Sequence, residues 1–217
     1  MAICVVRTIE QLDPGLVLTP ERYNPKRRIN TNGEQSFYKL SEFATLANDQ
    51  VTAREAGSHL VLNTSDALGG CINIPHEATL KLSSSKKRIR KGDVIISRLR
   101  PYLKQIAYCD VDYDNLVGSS EFYVLRPRIE GDDIAFLLPY LLSDPVQRVF
   151  QSAVEGSQHP RFQPQDLLEL PIPQTLVDRR DYISERVKMA LSNYRAYVSA
   201  LASLVGDCEN DFAERNL

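Results

Sequence analysis

The sequence predicts an α+β protein: a mixed β-sheet domain with short helices, followed by a long C-terminal α-helix of coiled-coil type. Two observations carry that prediction. Between Leu60 and Pro127 the apolar residues fall in short β-branched and aromatic runs, as strands do. From Ile183 onward they recur at alternating steps of four and three, as heptads do. The chain has 217 residues, 43% hydrophobic and 25% charged, enough for one domain with a sizeable core plus an appendage. The domain is placed at 1–175, and the helix and tail at 176–217.

Met1 to about Gln35 reads as irregular, broken by Pro14, Pro20 and Pro25, with Pro25-Lys26-Arg27-Arg28 a small basic knot. Ser41 can cap a short helix through Ala47, since Phe43, Leu46 and Ala47 have helical spacing. His59-Leu60-Val61-Leu62 reads as a strand that enters the polar turn Asn63-Thr64-Ser65-Asp66 and then Gly69-Gly70. Past a basic run, Gly92-Asp93 turns into Val94-Ile95-Ile96-Ser97. That stretch is almost continuously apolar, which predicts a central strand. Gln105 to Tyr108 is a short return, and Glu121 to Leu125 a further strand ending at Arg126-Pro127.

The apolar period then changes from two to about 3.6. Asp132 or Asp133 can cap a helix through about Leu142, which Pro139 should end or bend. Asp144-Pro145 reads as N-cap and first residue of a second helix that stops near Gly156. Ser157 to Phe162 is a loop, Asp166 to Leu170 a helical turn, and Pro171-Ile172-Pro173 an extended exit.

In the last segment Ile183, Val187, Ala190, Tyr194, Tyr197, Leu201, Leu204 and Cys208 keep the heptad spacing. Neither Pro nor Gly interrupts Asp178 to Val205, about 42 Å of helix at 1.5 Å per residue. A helix lying on its own domain would also carry an apolar stripe. The narrow seam and the length favour pairing with another helix through Ile183, Val187, Ala190, Tyr194, Tyr197, Leu201 and Leu204.

The formal charge of −2 hides a segregation. From Lys81 to Lys104 nine basic residues (Lys81, Lys86, Lys87, Arg88, Arg90, Lys91, Arg98, Arg100, Lys104) stand against one acid, Asp93. That is a local excess of eight positive charges, so the rest of the chain carries ten net negative ones. A polyanion needs such a patch rather than a basic whole.

Other classes find little support. The start has no signal-peptide pattern, and no apolar run approaches the roughly 20 residues that span a bilayer, so no membrane partner is expected. Cys4, Cys71, Cys109 and Cys208 are far apart and include no C-x-x-C pair, which suits reduced thiols in the cytoplasm. His59, His76 and His159 stand alone and are expected on the surface or in loops. There is no phosphate loop, no dinucleotide fingerprint and no nucleophile elbow, so no cofactor and no catalysis are expected. Asp93 and Glu121 could serve a nuclease as metal ligands, but Glu121-Phe122-Tyr123 lacks the Glu-x-Lys that usually completes such a site.

Gly92-Asp93-Val94-Ile95-Ile96-Ser97-Arg98 and then Gly118-Ser119-Ser120-Glu121-Phe122-Tyr123-Val124-Leu125-Arg126-Pro127 resemble the middle of a target recognition domain. Such domains belong to the DNA specificity subunits of type I restriction–modification systems. The resemblance continues through Leu137 to Leu142, Gly156 to Arg161, and Asp166 to Pro173, the last of which leads in that family into a spacer helix. It covers about Leu60 to the C-terminus and is weaker before Ser58. A full specificity subunit has two recognition domains and two spacer helices, so this chain resembles half of one. The resemblance implies a non-catalytic subunit, with double-stranded DNA, a DNA methyltransferase and a restriction/translocase subunit as partners. Two copies pairing their helices would restore the twofold arrangement and read a bipartite palindrome.

Under that reading the chain must grip phosphates for affinity and read base edges for specificity. Lys86, Lys87, Arg88, Arg90 and Lys91 are candidates for phosphates, although a basic run on a turn can also be a solvated surface. Arg98, Arg100 and Lys104 are candidate readers, since a rigid strand end can aim an Arg fork at guanine. Packing, or ion pairs with the acids of the loop Asp110 to Asp114, is the alternative for them. Asn63, Thr64 and Ser65 could add amide and hydroxyl contacts, or be plain turn residues. Gln158, His159 and Arg161 could read from a loop that Pro160 restrains. A protein–protein adaptor without DNA reading is the alternative from another class.

Overall fold

A computed structural model describes residues 4, 6, 8–12, 29, 37–55, 57–79, 81–154 and 160–215, the last five as backbone. The strands are β1 (Phe37–Lys39), β2 (Ala44–Leu46), β3 (Gln50–Val51), β4 (Leu60–Leu62), β5 (Ala67–Leu68) and β6 (Cys71–Ile72). They continue with β7 (Lys86–Arg88), β8 (Val94–Ser97), β9 (Ile106–Tyr108), β10 (Leu116–Gly118) and β11 (Phe122–Pro127). Helices α1 (Leu137–Leu142), α2 (Asp144–Ala153) and α3 (Pro164–Leu168) follow, then β12 (Pro171–Pro173), α4 (Gln174–Val177) and α5 (Arg180–Arg215). The α+β class expected from the sequence is the observed one.

Two four-stranded sheets form the body. The central sheet, ordered β2-β11-β8-β9, is antiparallel. Strand β8 is buried along its whole length because both of its faces are covered, which is why its sequence does not alternate. Val94 and Ile96, with Tyr123 and Leu125 of β11, face a core shared with Phe136, Leu137, Leu141, Phe150 and Phe162. Ile95, with Phe122 and Val124, faces a second core shared with Leu62, Ile89 and Leu116. That second core is backed by the other sheet, β3-β7-β10-β4, in which β10 runs parallel to β4 and antiparallel to β7. The sheets approach closely at Gly118, where a Cβ would stand 2.6 Å from Ile89 Cδ1 and 2.9 Å from Phe122 Cδ2. Strands β1 and β12 pair antiparallel and close the domain.

Several sequence expectations are corrected. The helix expected over Ser41 to Ala47 is instead a 3₁₀ turn (Leu40–Glu42) followed by edge strand β2, whose Leu46 and Thr45 pair with Leu125 and Arg126. A three-residue strand is too short to show alternation, so its spacing imitated a helix. Pro139 does not end a helix but lies in the first turn of α1, where its missing N–H needs no partner. The N-cap of α2 is Ser143, with Asp144 as first residue and Pro145 as second. Its expected stop, Gly156, lies outside the described residues; α2 ends at Ala153. His59 is buried rather than exposed, and among the described residues neither ring nitrogen has a hydrogen-bond partner.

Helix α5 starts two residues later than expected and runs ten residues past Val205, and its first turns lie on the domain. Ser184 is buried and its Oγ accepts the Phe136 N–H at 3.1 Å, serving the start of α1. Lys188 meets Asp133 at 2.6 Å, Leu191 is buried, and Arg195 forks onto both oxygens of Asp110. These four positions form one helical row. Ile183 and Val187, expected in an intermolecular seam, pack half-buried against the domain's own core, which removes them from that seam. Tyr194, Tyr197, Leu201 and Leu204 stay exposed, as do Val198 and Val205 beside them. Ala190 is exposed as well. Among the described residues no helix is long and apolar enough to cross a membrane.

Candidate nucleic-acid interface

The basic run is not one patch. Lys86, Lys87 and Arg88 form β7 rather than an exposed turn, and all three are half-buried between β3 and β10. Lys86 Nζ donates to Ser84 Oγ at 3.3 Å, and Arg88 Nη1 to the Asp114 carbonyl at 3.0 Å. Arg90 pairs with Asp49 at 2.8 Å. Lys91 is exposed and lines a cleft of about 330 Å³ beside Lys188 and Arg195 of α5. The solvated-turn reading therefore fails for the strand residues, which the sheet holds in place.

Arg98, just past the end of β8, and Arg161, in the segment that leads into α3, converge on one carboxylate. Arg98 Nε donates to Glu121 Oε2 at 3.0 Å. Arg161 Nε donates to the same oxygen at 2.9 Å, and its Nη2 to Oε1 at 2.7 Å. The backbone assembles this group. Ser97 pairs with Phe122 across the β8–β11 ladder, which puts residues 98 and 121 opposite each other one step on. Leu99 and Arg161 form an isolated antiparallel bridge. The Arg98 guanidinium lies 6.0 Å from the Tyr123 ring centre and the Lys87 ammonium 5.6 Å from it, within cation–π range. The Tyr123 hydroxyl is fixed by donation to the Phe162 carbonyl at 3.0 Å.

The electrostatics follow from these contacts. Hydrogen bonds from Arg161, and then from Arg98, hold the Glu121 carboxyl well below the usual carboxylate range, at about 2. Burial pushes the Lys87 ammonium down, and nearby Arg98 adds to the effect. One carboxylate shared by two guanidiniums leaves the group cationic, and Lys87 adds to that charge. Arg98 and Arg161 each keep about a third of their side chain exposed, at 35% and 36%.

Arg100 and Lys104 flank a 3₁₀ turn (Pro101–Leu103), and both have φ near +50°. Arg100 is exposed, and its N–H bonds the Pro160 carbonyl at 3.1 Å. Lys104 pairs with Asp144 at 3.0 Å. The loop acids Asp110 to Asp114, the alternative partners weighed for Arg98, Arg100 and Lys104, instead meet Arg195 through Asp110 and Arg88 through the Asp114 carbonyl. Asn63, Thr64 and Ser65 lie on a 3₁₀ turn. There the Asn63 N–H binds Asp66 Oδ2 at 2.7 Å, as turn chemistry requires. Gln158 and His159 lie outside the described residues.

Neither acid weighed as a nuclease ligand is available for a metal. Asp93 is buried and meets Arg126 at 2.8 Å while also accepting the Arg90 N–H, and Glu121 is taken by two arginines. Among the described residues no group of three His, Cys, Asp or Glu is placed to hold a metal ion. The role of Glu121 was missed from sequence. The signal was available, because an acid opposite an arginine at paired strand ends is a favoured cross-strand pair.

This arrangement is a two-sheet domain that presents arginines from strand ends, followed by a long helix docked on it by its first turns. The fold is the one found in the HsdS specificity subunits of type I restriction–modification systems. The chain is similar to the HsdS subunit from Thermoanaerobacter tengcongensis, with a TM-score of 0.53 and 24% identity over 82% of this chain and 48% of that one. It is similar also to a chain from a structure of type I R-M complex assembly, with a TM-score of 0.54 and 24% identity over 81% of this chain and 46% of the other. A segment of 72 residues is 34% identical to the type I restriction enzyme HindI specificity subunit of Haemophilus influenzae, 33% of this chain and 16% of that subunit. No protein-family model matches. The chain spans about half the length of the solved subunits it matches.

Proposed function

We propose that this chain is a sequence-specific DNA recognition subunit that positions a partner DNA methyltransferase, and in a restriction system a restriction/translocase subunit, on its target site. The carrying observation is the Arg98–Glu121–Arg161 group, with Lys87 beside it, fixed at strand ends of a specificity-subunit fold. Residues 1–175 bind DNA, with Arg98 as first reader and Arg100, Lys86, Arg88, Arg90, Lys91 and Lys104 supplying backbone grip. Asn63, Thr64, Ser65, Gln158 and His159 are secondary contacts. Residues 176–217 are the spacer and dimerisation helix, working now through Tyr194, Tyr197, Leu201 and Leu204. The subunit is non-catalytic, needs no cofactor, and works in the cytoplasm as a homodimer.

The test is a salt titration of duplex binding. Affinity should fall steeply as salt releases the counterions that phosphates hold. Absent or salt-independent binding, with the methyltransferase present, would refute DNA recognition.

A further inference from the structure

We infer that Glu121 is a positioning residue for specificity: with Arg161 as strut it turns the Arg98 fork toward neutral base edges and away from phosphates. The inference rests on the DNA-recognition reading above and deepens it.

The division of labour follows from which nitrogens are spent. Arg161 commits Nε and Nη2 to Glu121, so its side-on fork is consumed. Arg98 gives Glu121 only its Nε, and its guanidinium also lies within hydrogen-bonding reach of the Tyr123 hydroxyl, so the end-on Nη1–Nη2 edge is the side that Glu121 does not occupy. Two parallel donors on that edge match the O6 and N7 acceptors of guanine. The stem of Arg98 is also fixed, since its strand is buried throughout and its guanidinium lies over Tyr123. A fork aimed by packing and by a shared carboxylate is preorganised, so little is lost in ordering it.

Charge decides what the fork accepts. A phosphate brought to Arg98 also comes close to the Glu121 carboxylate, and like charges repel more strongly once the interface excludes water. A guanine edge carries no net charge and escapes that repulsion. Glu121 thus trades non-specific grip for discrimination, the repulsive half of a specific interface. A carboxylate that merely held the fold together would not favour one kind of DNA over another.

The experiment uses the 217-residue chain and a pool of randomised duplexes, selected with wild type, E121Q and E121A, with thermal melts as a check on folding. Against a random-sequence duplex, E121Q should bind several-fold more tightly, and its log–log salt slope should steepen by about one. In the selected pool E121Q should lose its preference at one base pair, where wild type discriminates by about tenfold. R98A should lose the same preference without gaining random-duplex affinity. If E121Q and E121A keep the wild-type site, slope and random-duplex affinity, or weaken binding to all duplexes equally while melting lower, the positioning role is overturned. If wild type itself selects nothing from the pool even with the methyltransferase present, the DNA-recognition reading fails instead, and the two failures are distinct.

Discussion

Arg195 of α5 forks its guanidinium onto both oxygens of Asp110, in the segment that follows β9, and thereby ties the helix to the domain about four turns after it starts. The pair is largely shielded, so its loss should be felt. Arg195→Ala and Asp110→Ala should each destabilise the protein, and a double-mutant cycle should return a coupling of about 1–2 kcal/mol. Hydrogen exchange should rise over the first half of α5 and stay unchanged in β8. No coupling in urea denaturation would mean that the contacts of Ile183, Ser184, Val187, Lys188 and Leu191 hold the helix without it.

Asp93 is 1% exposed and depends on Arg126, whose other nitrogen holds Asp49. Burial raises the Asp93 carboxyl above its usual range even though Arg126 opposes that. Arg126→Met should therefore cost about 3–5 kcal/mol at neutral pH by stranding a buried charge. Without Arg126 the folded-state pKa of Asp93 rises further above its unfolded value of about 3.9. An acid so raised is accommodated best when protonated, so the deficit should be smallest below that pH and grow as pH rises. Urea midpoints between pH 3 and 7 measure it.

Glu121 behaves in the opposite sense. Its folded carboxyl titrates at about 2, below an unfolded value of about 4.3. Its contribution to stability is fully present above the unfolded value and is lost as pH falls toward the folded one. The stability gap between wild type and E121Q should accordingly close on acidification from pH 5 to 2, followed by guanidinium denaturation.

Gly118 sits where the two sheets meet, and an added methyl group collides with Ile89 and Phe122. Gly118→Ala should lower stability by about 1–3 kcal/mol, the usual cost of overpacking. Because Phe122 begins β11 next to Glu121, the same change should disturb the Arg98 group and weaken DNA discrimination more than Arg90→Ala does.

The apolar face of α5 beyond Arg195 gives a test of the proposed assembly. Leu201→Asp with Leu204→Asp should convert a dimer to a monomer in light scattering without lowering the melting temperature of the domain, since both side chains are already exposed. A wild-type chain that stays monomeric even with the methyltransferase would exclude self-pairing.

Much of the fold could be read from residues whose neighbours lie close in sequence or whose pattern is long. Val94 to Ser97 announced a strand covered on both faces, and the uninterrupted run after Asp178 announced α5. Short elements were less legible. Ala44 to Leu46 is a strand because β11 lies beside it, a fact that three residues cannot encode. The row Ser184, Lys188, Leu191 and Arg195 was invisible because hydrophobic periodicity does not register polar docking, so the neighbouring apolar row drew the attention. Within the site, Arg98 and Arg161 were legible as cations, but their convergence on Glu121 depends on a bridge between segments more than sixty residues apart.

The shared carboxylate has a consequence for how recognition changes over evolutionary time. Replacing Arg98 or Arg161 alone leaves Glu121 short of a partner in a half-buried place, so a new preference is hard to reach by one substitution. Positions 98, 121 and 161 should therefore drift together among descendants of this chain, as one inherited unit. The scaffold strands beneath them are free to stay as they are.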